Sequence, residues 1–464
     1  MRTIRRILGF LVVAAALMLA VAWFADRPGE VSVVWQGWRI DTSFGVLVFG
    51  AALLALVAIA LARLWQSLVS GPRRFLRWRR DRRRRQGYAA LTSGLVAVAA
   101  GDPREARRHA RRADVLLDEP PLTMLLAAQT AQLLGDEDEA KRHFRRMLDN
   151  PETAFLGLRG LITQALKSGD TIEALMLARR ARDLRPRTAW VQTTLLDLET
   201  RIGDWPAAQE TLRQATKHAA LPPAQASRHA AAIALERARR AVLENRPEEA
   251  LAQAELAWKS DPDHAAVAPF LAERYLADGR ARAALRIVEQ AWARGPQPEL
   301  ADLHARARGC GDALSRVKAA ERLAALAPAH PESHLVLARA AQAARLWGEA
   351  RRHLAAAIAA GGGAATAGIA RRMAEIEEAE KGDQAAARGW LERAAQAPED
   401  AGWICGACGT AHARWQAICG QCGAFDRISW TARARVAALP AATATATATA
   451  TASAPPAQDG PKTT

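Results

Sequence analysis

The sequence predicts an all-α protein. An N-terminal two-helix transmembrane hairpin leads into a long array of stacked helix pairs, then a small four-cysteine metal knuckle and a disordered tail. Three observations predict this order. Two apolar runs flanked by arginines stand near the start, a Gly-Asp pair recurs every 34 residues through the middle, and two Cys-x-x-Cys pairs stand near the end. The composition agrees: with only 5% aromatic residues and few β-branched runs, helix is the default.

The anchor comes first. Ile7 to Ala25 and Phe44 to Ala62 are apolar runs of about 20 residues, the length a helix needs to cross the hydrocarbon core. A cleaved leader is the competing reading of the first run, but the run is long for one and a second follows closely. Arg2, Arg5 and Arg6 precede the first run. Nine arginines between Arg73 and Arg85 follow the second, which places both termini on the cytoplasmic side of a bacterial inner membrane. The loop between the runs, with Val31, Val33, Trp35 and Trp38 around Gly37, is short enough for a small interfacial β-turn.

Charge supports the same reading. The chain carries a net +16, which at first suggests nucleic acid. Residues 1 to 85, however, contribute +11 of it through fifteen arginines against Asp26, Glu30, Asp41 and Asp81. Beside a membrane span, Arg73 to Arg85 suit anionic lipid better than RNA. Around the cysteines only Arg414 and Arg427 are basic between Trp403 and Trp430, so no nucleic-acid partner is expected.

From Gln86 the array begins. Gly101-Asp102, Gly135-Asp136, Gly169-Asp170 and Gly203-Asp204 keep the 34-residue period. Five residues after each glycine stands an alanine (Ala106, Ala140, Ala174, Ala208), followed seven later by Ala113, Met147, Ala181 and Ala215. The pairs Ala250 with Ala257, Ala284 with Ala291, Ala350 with Ala357 and Ala387 with Ala394 continue the pattern. Glycine permits a tight turn and alanine a close helix approach, and such hairpins bury their apolar stripes only by stacking. The array resembles the tetratricopeptide repeat family, best over residues 155 to 188, with Leu158, Leu161, Gly169, Ala174, Ala181 and Pro186 at its positions. That resemblance implies a groove that receives protein partners. Gln297 to Pro328, around Cys310-Gly311, fits the period poorly.

The sharpest chemical motif is Cys405-x-x-Cys408 followed, after ten residues, by Cys419-x-x-Cys422. Two intervening residues let both sulfurs reach one ion, and four thiolates close a tetrahedral shell with no open position, which makes a structural site. The stretch resembles a zinc ribbon or rubredoxin-like knuckle. Zinc is expected over iron, since no dinucleotide fingerprint accompanies the cysteines, and a disulfide pairing is the reading left for an oxidising compartment. Trp403, Trp415, Phe425 and Trp430 are expected to supply the module's own small core. Beyond Leu439 an Ala-Thr alternation and a Pro-rich end lack bulky residues, which predicts disorder.

The domains expected are therefore 1–72 anchor, 73–85 basic juxtamembrane segment, 86–400 helical array, 401–432 knuckle and 433–464 tail. Gly361 to Gly363 with Gly368 read as a loop, because no Gly-Lys-Ser/Thr follows. His330 and His334 flank a helix start, and Cys310 reads as a buried thiol. No catalytic constellation can be assembled, and a non-catalytic scaffold is expected. The ordered combination of an arginine-flanked hairpin with Trp35-Gln-Gly37-Trp38 at its tip, an arginine-rich stretch and the repeats resembles the HemY family. That resemblance implies an inner-membrane protein that binds haem-pathway enzymes. The competing resemblance, carried by the C-terminal knuckle, is to membrane-anchored regulators of lipopolysaccharide-enzyme assembly or proteolysis.

Overall fold

The structure, a computed structural model, describes residues 30–35, 37–117 and 120–431, together with Ala15 and Trp23. Two compact units divide it, Met1–Gly157 and Leu158–Thr464.

In the first unit, β1 (Glu30–Trp35) and β2 (Trp38–Ser43) form an antiparallel hairpin whose last pair is Trp35 with Trp38. Gly37 takes φ +87° in the two-residue connection, a conformation for which glycine has no steric cost. The expected turn is thus the tip of a full two-stranded ribbon. Helix α1 (Phe44–Ala99) then runs without interruption through the second expected span, the arginine stretch and the first helix of the array. Consecutive arginines are good helix formers and supply no stop signal at the boundaries expected after residues 72 and 85.

The first expected span, Ile7 to Ala25, lies outside the described residues except for Ala15 and Trp23. Among the described residues no helix is long and apolar enough to cross a membrane. The transmembrane hairpin is therefore not carried by the structure. What it does record is a band of exposed apolar side chains on α1, with Leu54 73% and Leu61 59% exposed.

Helices α2 (Pro103–Leu116), α3 (Pro120–Leu134) and α4 (Glu137–Arg146) complete the described array of this unit. Ala90 and Leu91 of α1 share a core with Ala110, Ala113, Leu117 and Leu126.

The Gly-Asp signal has a direct structural cause. Gly101, Gly135, Gly169 and Gly203 all adopt φ between +73° and +76°, closing the preceding helix. The aspartate that follows caps the next helix: Asp102, Asp136, Asp170 and Asp204 each accept a hydrogen bond from a first-turn backbone N–H at 2.9 to 3.2 Å. One dipeptide thus ends one helix and starts the next.

Helix α5 (Pro151–Ser168) contains the boundary between Gly157 and Leu158, and after it come α6 (Thr171–Leu184), α7 (Ala189–Arg201), α8 (Trp205–Lys217), α9 (Pro223–Leu243), α10 (Pro247–Ser260) and α11 (Val267–Ala277). Then come α12 (Ala281–Arg294), α13 (Pro298–Ala307), α14 (Ala313–Ala324), α15 (Pro331–Ala343), α16 (Trp347–Ala360), α17 (Ala367–Lys381) and α18 (Gln384–Gln396). Of the small residues at the repeat positions all but Ala394 are buried, so neighbouring helices approach closely there.

The stretch that broke the period is still a helix pair. Helices α13 and α14 are short, and the left-handed turn falls at Gly309, only 30 residues after that at Gly279. Elsewhere the same turn is made by Asn245 and Arg345, which removed the glycine signal from the sequence without removing the turn.

The chain is not wholly helical. A three-stranded antiparallel sheet, β3 (Gly402–Cys405), β4 (Ala411–His412) and β5 (Ile428–Thr431), stands in the order β4-β3-β5 and carries the cysteines.

Candidate metal centre

Each Cys-x-x-Cys pair folds into the same turn. Gly409 N–H donates to the Cys405 carbonyl at 2.8 Å, and Gly423 N–H donates to the Cys419 carbonyl at 2.8 Å. Both glycines are left-handed, at φ +74° and +69°. The turns face each other, with the four Sγ atoms all within 4.8 Å of one another. Cys405 Sγ lies 3.8 Å from Cys422 Sγ, and Cys408 Sγ lies 3.7 Å from Cys419 Sγ. Zinc–sulfur bonds of about 2.3 Å in a tetrahedron require sulfur edges of about 3.8 Å. The four sulfurs therefore fit one tetrahedral ion, and all four cysteines are free thiols, with no disulfide among them.

The four thiols are electrostatically unequal. Hydrogen bonding from Thr410 brings the Cys408 thiol down to about 6, so that this sulfur ionises readily. Although the Ala424 N–H pulls the Cys422 thiol down, burial and the neighbouring thiols push it up to about 12. Burial likewise raises Cys405. Four thiolates cannot coexist in this space without positive charge between them. His412 Nε2 stands 3.4 Å from Cys419 Sγ and is placed to bond that sulfur from outside the shell.

The ribbon sits on α7 to α11. Trp403, Cys405, Trp415, Cys419, Phe425 and Ile428 belong to one buried cluster with Leu196, Leu212, Ile233, Leu235 and Val267 of those helices. His264 meets the edge of Trp415 at 5.1 Å, and the Arg239 guanidinium lies over the same indole at 4.9 Å.

At the centre of this contact is Asp426, whose side chain is fully buried and whose backbone is left-handed at φ +51°. Oδ2 accepts from His229 Nδ1 at 2.9 Å and faces Arg228 Nε at 3.3 Å, while Oδ1 accepts from His264 Nε2 at 3.3 Å. Gln225 Nε2 reaches His229 Nε2 at 3.1 Å. An amide nitrogen only donates, so the His229 proton is fixed on Nδ1, toward the aspartate. Burial pushes the Asp426 carboxyl up, but the histidine hydrogen bonds and the Arg228 charge outweigh it and hold the carboxyl at about 2.

Two family descriptions match the chain: "HemY protein N-terminus" over residues 29–135 and "Tetratricopeptide repeat" over residues 241–307. A relative described as "Probable magnetosome protein Mms48", from Magnetospirillum gryphiswaldense, is 30% identical over 447 residues, covering 94% of this chain and 96% of its own. The chain belongs to the HemY family. Among solved structures, the Naa15/Naa10 complex bound to HypK-THB gives a TM-score of 0.41 at 16% identity, over 67% of this chain and 50% of that one. The crystal structure of MamA gives 0.24 at 15% identity, over 34% and 92%.

In this HemY-family chain the structure brings all four predicted cysteines together and gives the predicted aromatics a different role. Trp403, Trp415 and Phe425 are buried, but in a core shared with the repeats instead of one private to the ribbon. A module of some thirty residues is too small to bury them alone. His330 caps α15 through Nδ1, which accepts from the Glu332 N–H at 3.1 Å, and His334 stacks on His353. Cys310 is half-buried, with Sγ 3.5 Å from the Ser315 carbonyl. The Gly361 to Gly363 run is the loop after α16. Sequence reading missed Asp426, His229, His264, Arg228 and His412. The sequence shows only a histidine within an alanine-rich helix, which names no partner 197 residues away.

Proposed function

We propose that this chain is a membrane-held, non-catalytic scaffold whose repeats bind haem-pathway enzymes and whose ribbon holds a structural zinc through Cys405, Cys408, Cys419 and Cys422. The observation that carries the membrane part is the exposed apolar band of α1, including Leu53, Leu54, Val57, Ile59 and Leu61. A continuous band of that kind is stable in lipid or against a partner and costly in water. Association of this band with the membrane, with both termini in the cytoplasm and Arg73 to Arg85 against anionic lipid, would account for it. Repeats held at the membrane raise the local concentration of whatever they bind, so modest affinity suffices. Zinc supplies folding energy to the ribbon and leaves no coordination position for substrate.

The test compares a deletion strain complemented by the full chain or by residues 86–464, with porphyrin intermediates and haem measured in both. The full chain is expected to restore normal levels and the truncated form to restore little even when abundant. Full restoration by the truncated form would remove the membrane argument. Normal tetrapyrrole levels in the deletion strain would remove the pathway. A second reading, regulation of a lipopolysaccharide enzyme, is favoured by the ribbon seated on the repeats. Purification from membranes separates the two, according to whether haem-pathway enzymes or a lipopolysaccharide enzyme with its protease co-purify.

A further inference from the structure

The first unit contains a recess of about 480 Å3 between α2, α3 and α4, within the size range of small-molecule sites. Leu117 and Ala131 are buried in its wall, with Met124 beside them. Arg107 and Arg111 of α2 and Arg146 of α4 also line it, and among the described residues none of the three forms an ion pair. The contrast is with their neighbour Arg108, which pairs with Glu105 at 2.7 Å.

Two buried groups of the lining are unsatisfied. Thr130, 4% exposed, has a buried hydroxyl with no hydrogen-bond partner, and the buried Nδ1 of His143 has none either. A buried polar group left without a partner is costly and marks a place where something else bonds. Asp114 and Glu139 line the recess too, and Glu139 lies 3.9 Å from His143 Nε2. Asp118 and Glu119 follow Leu117 outside the described residues. The carboxylates do not answer Thr130, whose hydroxyl still lacks a partner, and they leave the exposed guanidiniums of Arg107, Arg111 and Arg146 outside any ion pair among the described residues.

Each of the unsatisfied groups is a donor or can become one by choice of tautomer. The occupant must therefore bring acceptor oxygens to the arginines and threonine and an apolar body to Leu117, Met124 and Ala131. We infer that this recess binds an organic anion, a carboxylate or phosphate monoester on a compact apolar group, with Arg107, Arg111 and Arg146 holding the anion and Thr130 donating to it. Planar guanidinium forks match such oxygens in pairs. The same chemistry is offered by a free organic acid and by the C-terminus of a peptide with apolar last residues.

The experiment is calorimetric titration of the full chain in an uncharged maltoside detergent. The probes are 1-naphthoate, 1-naphthyl phosphate, neutral 1-naphthalenemethanol, and acetyl-Ala-Leu-Leu with either a free or an amidated C-terminus. At least one anion is expected to bind ten times more tightly than its neutral analogue. Binding of naphthoate or naphthyl phosphate assigns a free organic anion, and binding of the tripeptide acid alone assigns a chain terminus. Arg107→Gln/Arg111→Gln/Arg146→Gln should weaken the binding anion at least tenfold and Thr130→Val about threefold, with thermal midpoints unchanged because the arginines lie on the surface. Should the triple variant lose its midpoint, Arg111→Lys, which keeps charge but not the fork, is expected to weaken binding severalfold. Equal binding of neutral and anionic probes, binding by none, or undiminished binding by the arginine variants would overturn the assignment.

Discussion

The Gly-Asp turns and the cysteine ribbon are two ways of fixing a chain. In the repeats, every stabilising group is near in sequence: Gly169 turns the backbone, Asp170 caps the helix three residues on, and Ala174 and Ala181 pack against adjoining helices. Loss of one such group removes one small increment. In the ribbon, four sulfurs share one centre and Asp426 is bonded to side chains about 160 and 200 residues away. There the contributions are few, large and interdependent, so losing one should expose the rest.

The largest expected effect comes from the metal. Chelation, or Cys408→Ser, should release the ribbon and uncover the apolar surface of α7 to α11 that it covers, because structural zinc supplies about 10 kcal/mol or more of folding energy to such modules. An independently folded knuckle would leave the repeats untouched. The shared core predicts instead faster amide exchange in α7 to α11, with helical circular dichroism largely kept. Unchanged exchange in those helices after metal loss would mean that the ribbon contributes nothing to them. Elemental analysis of the purified chain should give one zinc per chain, and iron with a reversible redox signal would replace the structural assignment.

Asp426→Asn comes next. It removes the buried carboxylate to which His229 and His264 are bonded, while the half-exposed Arg228 stays solvated, and should cost about 2 kcal/mol, read from denaturant unfolding followed by tryptophan fluorescence. Its pH dependence has a definite sign. The carboxyl is held at about 2 in the folded chain, against 3.8 ordinarily. A depressed carboxyl stabilises above its unfolded value and loses that stability as pH falls through the folded one. The stability gap between wild type and variant should therefore be constant above pH 4 and narrow by about 2 kcal/mol between pH 4 and pH 2. Metal loss in acid affects both proteins, so the difference isolates the aspartate. A gap that stays constant to pH 2 would remove Asp426 from the ribbon contact.

The repeat turns should respond least. Asp170→Ala removes a cap and should cost about 1 kcal/mol, and Gly169→Ala, at φ +76°, about the same. Arg345 makes the equivalent left-handed turn at φ +58° with a side chain, so Arg345→Gly is expected to raise stability by up to about 1 kcal/mol. Thermal melts of these three variants, compared with that of Asp426→Asn, test the contrast directly. Comparable losses at the turns and at Asp426 would erase the distinction between local and long-range fixing.

What the sequence determined by itself was everything set by short separation. The 34-residue period located the helix pairs, because turn, cap and close-packing residues lie within one repeat of each other. The Cys-x-x-Cys pairs located the four-sulfur cluster, because each knuckle is made by consecutive residues. Periodicity failed around Gly309, where a repeat is shortened, and at Asn245 and Arg345, where residues other than glycine take the turn, since both keep the fold while changing the letters. Only the tertiary structure decided that the ribbon has no core of its own, that its tryptophans are buried against α7 to α11, and that Asp426 meets His229 and His264. Those pairings follow from the return of residues 402–431 onto helices that end more than a hundred residues earlier. No local pattern encodes a contact whose two halves lie nearly 200 residues apart.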